Sequence, residues 1–152
     1  MRSAGSAVFA AVAVACAVGL ACADPTQIVV KVSTDQPCSA FGKVEIRVAR
    51  TAADLDTAVA QVTESTSCSS GDLGSLVVIP DKDDKAKVFV RALLSKAATD
   101  CTPPGANCIV ATRTATFVPG KSVDLPVVMT ANCKGVVCTA GQTCVTGACT
   151  SF

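Results

Sequence analysis

The sequence contains no histidine, tryptophan or tyrosine, so that phenylalanine supplies its only five aromatic residues. Without histidine, the Ser-His-Asp and Cys-His nucleophilic sites and the histidine-bearing zinc sites are excluded. If a leader containing Arg2 is removed, the remaining chain has twelve basic and twelve acidic residues and therefore no net charge. Nucleic-acid binding usually requires an excess of positive charge for the phosphates and aromatic side chains that stack on the bases. This chain has little of either, and we expect no nucleic-acid partner.

Residues 1–23 are predicted to be an export signal. Arg2 precedes an uncharged stretch rich in Ala and Val, which ends in small residues before Asp24. A retained membrane helix is the alternative, but the stretch from Ala7 to Ala23 is at the short end for spanning a bilayer. Cleavage after Ala21-Cys22-Ala23 would release the chain, whereas acylation of Cys22 would anchor it as a lipoprotein. The sequence therefore predicts export, to the cell envelope or outside the cell.

Setting aside Cys16 and Cys22 leaves eight cysteines, an even number that permits complete pairing in an oxidising compartment. These eight are Cys38, Cys68, Cys101, Cys108, Cys133, Cys138, Cys144 and Cys149. Cys38 and Cys68 follow two predicted strands, so a bridge between them would join two separated loops. Cys101 and Cys108 most simply close the turn between two strands.

The last four cysteines lie in "CKGVVCTAGQTCVTGAC", residues 133–149. This segment is too poor in large apolar residues to build a core, and such a short piece needs covalent staples to hold one shape. Of the three possible pairings we favour Cys133 with Cys144 and Cys138 with Cys149, because interleaved bridges brace a short chain in two directions. A four-thiolate zinc site is the alternative, which export to an oxidising compartment disfavours.

Residues 24–130 are predicted to be an all-β domain. "KVEIRVAR" places Val44, Ile46 and Val48 on one face, which is the period of a half-buried strand. Seven strands are predicted, at 27–33, 43–50, 57–63, 75–80, 86–94, 108–118 and 122–129. The third is the weakest, because the Ala-rich sequence from Asp54 also suits a helical turn. Pro126 lacks a ladder donor and predicts an edge position for the last strand.

Seven short strands indicate an immunoglobulin-like or prealbumin-like sandwich. The predicted organisation is thus a signal peptide at 1–23, a β-sandwich at 24–130 and a small disulfide-rich C-terminal module at 131–152. Two segments, "CADPTQIVVKVSTDQPC" at 22–38 and "CKGVVCTAGQTCVTGAC" at 133–149, resemble uncharacterised cell-surface lipoproteins of the myxobacterial type. The resemblance implies that Cys22 is the lipid site and that the protein lies in the outer membrane of the envelope, and it implies no activity.

Carboxylates provide two candidate sites. Glu45 and Glu64, or the aspartates, are the candidate carboxylate pair for glycoside cleavage, but Glu45 lies on the polar face of a strand and no Trp or Tyr is present to hold a sugar. In "PDKDDK", Asp81, Asp83 and Asp84 are candidate calcium ligands, although a charged hairpin turn is the favoured interpretation.

The segment "CTPPGANC" at 101–108 is a candidate recognition loop. A Cys101–Cys108 bridge would present its tip as a rigid protrusion for a protein or surface ligand. The tip consists of Thr102, Pro103, Pro104, Gly105, Ala106 and Asn107. The sequence therefore favours a non-enzymatic, cofactor-free exported protein with a structural, binding or adhesion role. The alternatives are a disulfide-loop protease inhibitor and a calcium-dependent adhesion module.

Overall fold

The computed structural model describes residues 24–64, 68, 70–97, 101 and 107–152. The protein is all-β, as the sequence predicts. Its strands are β1 (Gln27–Thr34), β2 (Lys43–Ala49), β3 (Ala60–Glu64), β4 (Asp72–Val78), β5 (Lys87–Ser95), β6 (Ile109–Thr116), β7 (Ser122–Met129), β8 (Gln142–Val145) and β9 (Ala148–Ser151). Short 3-10 helices occupy Cys38–Ala40, Ala53–Asp56 and Ala131–Cys133.

Seven strands form two facing sheets, with the orders β4-β1-β7 and β3-β2-β5-β6. β1 runs antiparallel to β4 and parallel to β7, while every pair in the second sheet is antiparallel. In the immunoglobulin order the first, second, fifth and fourth strands share one sheet. Here β2 and β5 pair in the sheet that lacks β1, so the strand order differs from that of an immunoglobulin constant domain.

The core lies between the two sheets and follows the period-two pattern of the sequence. In β1, Ile28, Val30 and Val32 are at most 1% exposed, and they face the inward residues Val44 and Ile46 of β2 within one hydrophobic cluster. The other large contributors from the strands are Val88, Val90, Leu94, Ile109, Leu125, Val127 and Met129. Aliphatic side chains therefore fill the interior, and Phe41 and Phe117 are the aromatic residues of this cluster.

The region of the weakly predicted third strand contains both predicted structures, first a helical turn and then a strand. Ala53–Asp56 forms a single 3-10 turn whose Leu55 is fully buried, and β3 begins only at Ala60. The Ala-rich sequence favours the turn, and the strand starts where β-branched residues and pairing with β2 become available. Pro126 lies in β7, which is an edge strand of its sheet as predicted.

The sandwich has two distinct ends. We call the end at which β1 begins the near end; it comprises Thr26, the segment 50–59 between β2 and β3, the turn 79–86 between β4 and β5, and the turn 117–121 between β6 and β7. The opposite end, called the far end, contains the segment 35–42, Cys68, Cys101, the residues 107–108 and the start of the C-terminal tail after β7. An eight-residue strand rising about 3.3 Å per residue separates the two ends by about 26 Å.

The C-terminal tail, residues 131–152, packs against the free edge of β6. The Thr112 N–H donates to Thr143 Oγ1 at 2.8 Å, and the Gly135 N–H donates to the Cys108 carbonyl at 3.0 Å. Cys133 and Cys144 are each 2% exposed and belong to the core cluster of the sandwich. The tail thus satisfies backbone groups of an edge strand that would otherwise remain open to pairing with another chain.

Candidate functional site

The four disulfides are Cys38–Cys68, Cys101–Cys108, Cys133–Cys144 and Cys138–Cys149. This is the connectivity favoured by the sequence, including the interleaved arrangement of the tail. The first two bridges lie at the far end, and Cys133–Cys144 ties the start of the tail, just after β7, to strand β8. The tail cysteines are therefore disulfide sulfurs, and the structure holds no set of thiolates for the zinc alternative.

A cavity of about 240 Å³ opens at this same end. Its floor is apolar, because Phe41, Leu94 and Ile109 line it and none of them is more than 5% exposed. Its rim is polar, and the polar and charged lining residues are Gln36, Ser95, Lys96, Asn107 and Lys134. The volume lies below the range of about 300–1,000 Å³ that is typical of drug-sized ligand sites, so the cavity suits a single side chain or a small acid.

The floor depends on a close approach between two backbone segments. The Gly42 N–H donates to the Ser95 carbonyl at 2.9 Å, and a Cβ at position 42 would lie only 2.9 Å from the Lys96 carbonyl oxygen. Glycine is therefore needed where the chain enters β2. This approach holds Phe41, the residue just before Gly42, against the end of β5 and beneath the cavity.

The charged residues that line the cavity are cationic within the described part of the chain. Lys96 and Lys134 lie in the lining, and none of the described lining residues is an aspartate or glutamate. An apolar floor beneath a cationic rim is complementary to a group that combines a carboxylate with a short apolar portion.

The predicted recognition loop reaches the cavity at its described residues. Cys108 is 1% exposed and lines the cavity, and the exposed Asn107 lines it beside Cys108. Thr102, Pro103, Pro104, Gly105 and Ala106 lie outside the described residues. The Cys101–Cys108 bridge therefore fixes one base of this loop at the rim of the cavity.

Glu45 is held as an ion-pair partner. Arg47 Nη2 lies 2.5 Å from Glu45 Oε1, and Lys43 Nζ lies 3.2 Å from Glu45 Oε2. Burial raises the pKa of Glu45, but the hydrogen bonds and charges of Arg47 and Lys43 more than offset it, and the pKa lies below its ordinary value. A general acid needs a raised pKa. Glu64 pairs with Lys43 in the β2–β3 ladder, and its side chain lies outside the described part of the structure.

The aspartates of the turn 80–85 are not gathered into a cluster of potential metal ligands. Asp83 Oδ1 accepts the Lys85 N–H at 2.9 Å, and the Asp83 carbonyl accepts the Ala86 N–H at 3.2 Å. Asp81 and Asp84 are exposed, and the described residues contain no group of three potential ligands that could hold a metal ion. The aspartates therefore build the charged turn that the sequence favoured.

Sequence reasoning missed Arg113, which joins the tail to the sandwich. Its Nη1 donates to the Thr112 carbonyl at 2.8 Å and to Thr143 Oγ1 at 3.2 Å. Burial lowers the pKa of this guanidinium. The sequence pattern could have identified Arg113, because it interrupts the inward-facing series Ile109, Ala111 and Ala115 of β6. A charged side chain on a buried face requires specific partners.

The described residues contain no helix long and apolar enough to cross a membrane. Residues 1–23, which carry the predicted signal and Cys22, lie outside them. No protein-family model, curated protein or solved structure matches the chain. The four disulfides are consistent with a protein of an oxidising, non-cytoplasmic compartment.

Proposed function

We propose that the protein is an exported, non-catalytic binding module, anchored at the cell envelope through an acylated Cys22, whose interaction surface is the far end of the sandwich. The observation that carries this proposal is the convergence of the cavity, its two lysines and two disulfide-closed loops at one end of the fold. Loops held by a rigid scaffold are where binding residues concentrate.

The chemistry of the cavity defines the class of group that it receives. Phe41, Leu94 and Ile109 offer apolar contact, while Lys134 offers positive charge. The partner is a protein or surface ligand that inserts a carboxylate-bearing group of about one side chain in size. Pre-organisation by the Cys38–Cys68 and Cys101–Cys108 bridges reduces the entropy that binding must remove from the loops.

A fragment titration tests the ligand chemistry. Short-chain carboxylates and amines of matched size are titrated into oxidised protein, and backbone amide shifts are followed by NMR. We expect the carboxylates to shift the amides of Ala40, Ser95 and Ile109, and Lys134→Gln to weaken this binding about tenfold.

Lys121→Gln is the matched control, because it removes an exposed lysine at the near end. It should leave the affinity unchanged. Equal binding of the amines, or shifts located away from the cavity, would contradict the proposal.

Anchoring and the absence of catalysis need separate measurements. Intact-protein mass spectrometry on native material should show an acyl mass on Cys22, and a chain that begins at unmodified Asp24 would show instead that the protein is released. A hydrolase screen on the oxidised protein should give no turnover. Turnover that one carboxylate substitution abolishes would overturn the non-catalytic assignment.

A protease inhibitor is the second candidate, and the Cys101–Cys108 bridge is the observation that favours it. Inhibitory loops depend on a covalently closed, pre-organised backbone. Titrating serine proteases with intact and with reduced protein distinguishes the candidates: stoichiometric inhibition lost on reduction supports the inhibitor, and no inhibition removes it.

A further inference from the structure

The connection between Cys22 and the sandwich is short. Thr26 Oγ1 accepts the Gly120 N–H at 2.8 Å, and the Gln27 N–H donates to the Lys121 carbonyl at 3.2 Å. The chain is therefore fixed to the near end from Thr26 onwards. Cys22 lies four residues before Thr26, and four extended residues span at most about 14 Å.

The near end exposes apolar side chains beside this attachment point. Ile79 is 72% exposed and directly follows Val78, which pairs with Ile28 of β1. Val118 is 39% exposed and belongs to the turn whose Gly120 bonds Thr26. Two exposed aliphatic side chains thus flank the place where the chain enters the fold.

Exposed lysines surround these two residues. Lys82, Lys85 and Lys121 are exposed at this end and form no ion pair with a described residue. Their long side chains can keep the ammonium group among lipid phosphates while the methylenes cover apolar surface. The turn also carries Asp81, Asp83 and Asp84, so its net charge is close to neutral and apolar contact, rather than surface potential, supplies the attraction.

We infer that the near end is a lipid-facing surface, on which the sandwich stands against the bilayer with Ile79 and Val118 at the membrane interface. This inference rests on the acylated Cys22 of the proposed function. The short tether brings the near end to the membrane, and the exposed aliphatic residues favour contact there. The cavity and the disulfide-closed loops then project about 26 Å outward, where a partner can reach them.

The chain lacks tryptophan and tyrosine, so single-tryptophan variants report depth without background. Ile79→Trp and Val128→Trp of the acylated protein are reconstituted in phosphatidylethanolamine–phosphatidylglycerol vesicles that contain brominated acyl chains. Val128 is the matched control, because it is 47% exposed and lies about 20 Å farther along the sheet, where its neighbour Met129 pairs with Thr34. We expect Ile79→Trp to be quenched at least about twofold more strongly, because bromines in the hydrocarbon layer reach only the near end.

Amine footprinting of the wild-type protein gives a second readout that requires no substitution. Vesicle-bound and detergent-solubilised protein are treated with a membrane-impermeant acylating reagent and compared by peptide mass spectrometry. Lys82 and Lys121 should lose reactivity about threefold in vesicles, while Lys134 at the far end keeps it.

The outcomes separate this inference from the proposed function. Acylated protein with equal quenching at the two positions, or with equal protection of Lys121 and Lys134, overturns the orientation and leaves the anchor intact. Native protein without an acyl mass on Cys22 overturns the anchor and the orientation together.

Discussion

At the near end, Thr26 holds the entering chain through a hydrogen bond from the neighbouring turn, and the Phe117 N–H bonds the Ala86 carbonyl at 3.1 Å. At the far end, disulfides close the loops and the tail buries Cys133 and Cys144 in the core. The connections at the near end have ten, eight and five residues, and those at the far end have eight, seven and thirteen. Closing a longer loop costs more entropy, and the Cys101–Cys108 bridge shortens the longest of these connections.

Under the proposed function, the two ends have different tasks. The braced end holds its cavity and loops in one arrangement, as the proposed binding surface requires. The unbraced end carries the attachment of the chain and the exposed aliphatic residues. The following experiments test this division, beginning with the largest expected effect.

Removing the two tail disulfides separately should have unequal consequences. Both bridges close loops of the same sequence separation, 11 residues, so the loss of loop-closure entropy is about 3 kcal/mol for each. Cys133→Ala with Cys144→Ala should cost about 1–2 kcal/mol more, because it also leaves a cavity in the core. Cys138→Ala with Cys149→Ala is the matched control, since Cys149 is exposed.

Urea unfolding of the two double variants measures the difference in the free energy of unfolding. Equal losses would show that the tail contributes no core packing to the far end.

Substituting one glycine at each end compares how tightly the two ends are packed. Gly71 at the far end has φ +83°, and a Cβ there would clash with the Thr34 carbonyl oxygen, whereas Gly120 at the near end has φ +65° and open space around it. Gly120→Ala should cost about 1–2 kcal/mol for the left-handed backbone alone. Gly71→Ala should cost about 3 kcal/mol or more, because the clash also displaces the Thr34–Gly71 hydrogen bond. Thermal unfolding measures both, and similar losses would contradict the tighter packing of the far end.

Two threonine hydroxyls accept a backbone N–H at the same 2.8 Å distance, Thr143 in the tail and Thr26 at the near end. Thr143 is 4% exposed, so Thr143→Val leaves the Thr112 N–H and the Arg113 guanidinium without this acceptor and should cost about 2 kcal/mol. Thr26→Val should cost less than about 1 kcal/mol, because water reaches the Gly120 N–H. The midpoints of denaturant unfolding measure the stability of the two variants. A larger loss of stability for Thr26→Val than for Thr143→Val would contradict this prediction.

The smallest effect concerns Glu45, which lies between the two ends on the outer face of its sheet. Its pKa is lower in the folded protein, so it contributes stability above its ordinary value of 4.5 that is lost as the pH falls through the folded pKa. Glu45→Gln should therefore lower stability at about pH 6, by less than about 1 kcal/mol, and have little effect at about pH 2.

Asp84→Asn, which changes an exposed carboxylate at the near end, is the control and should leave the free energy of unfolding at about pH 6 unchanged. A Glu45→Gln variant whose deficit persists at low pH would show that packing, rather than ionisation, is responsible.

Local pattern predicted most of the sandwich. The alternation in "KVEIRVAR" and "QIVVKVS" specifies which side chains face the core, and Pro126 specifies an edge. The cavity was not predicted, because Phe41, Leu94 and Lys134 come from three distant segments and no local signal links them. Arg113 interrupts the inward-facing series of β6, but its partner Thr143 is 30 residues away in the sequence, and no local signal links the two.

The sequence by itself determined the all-β class, the lack of histidine-dependent chemistry and the supply of cysteines for four bridges. These properties follow from composition and from periodicities of a few residues. The strand order, the burial of Cys133 and Cys144, and the gathering of two lysines over an apolar floor were decided only by tertiary structure. They depend on which strands pair across long separations, and that choice is made by the packing of the whole core rather than by any one segment.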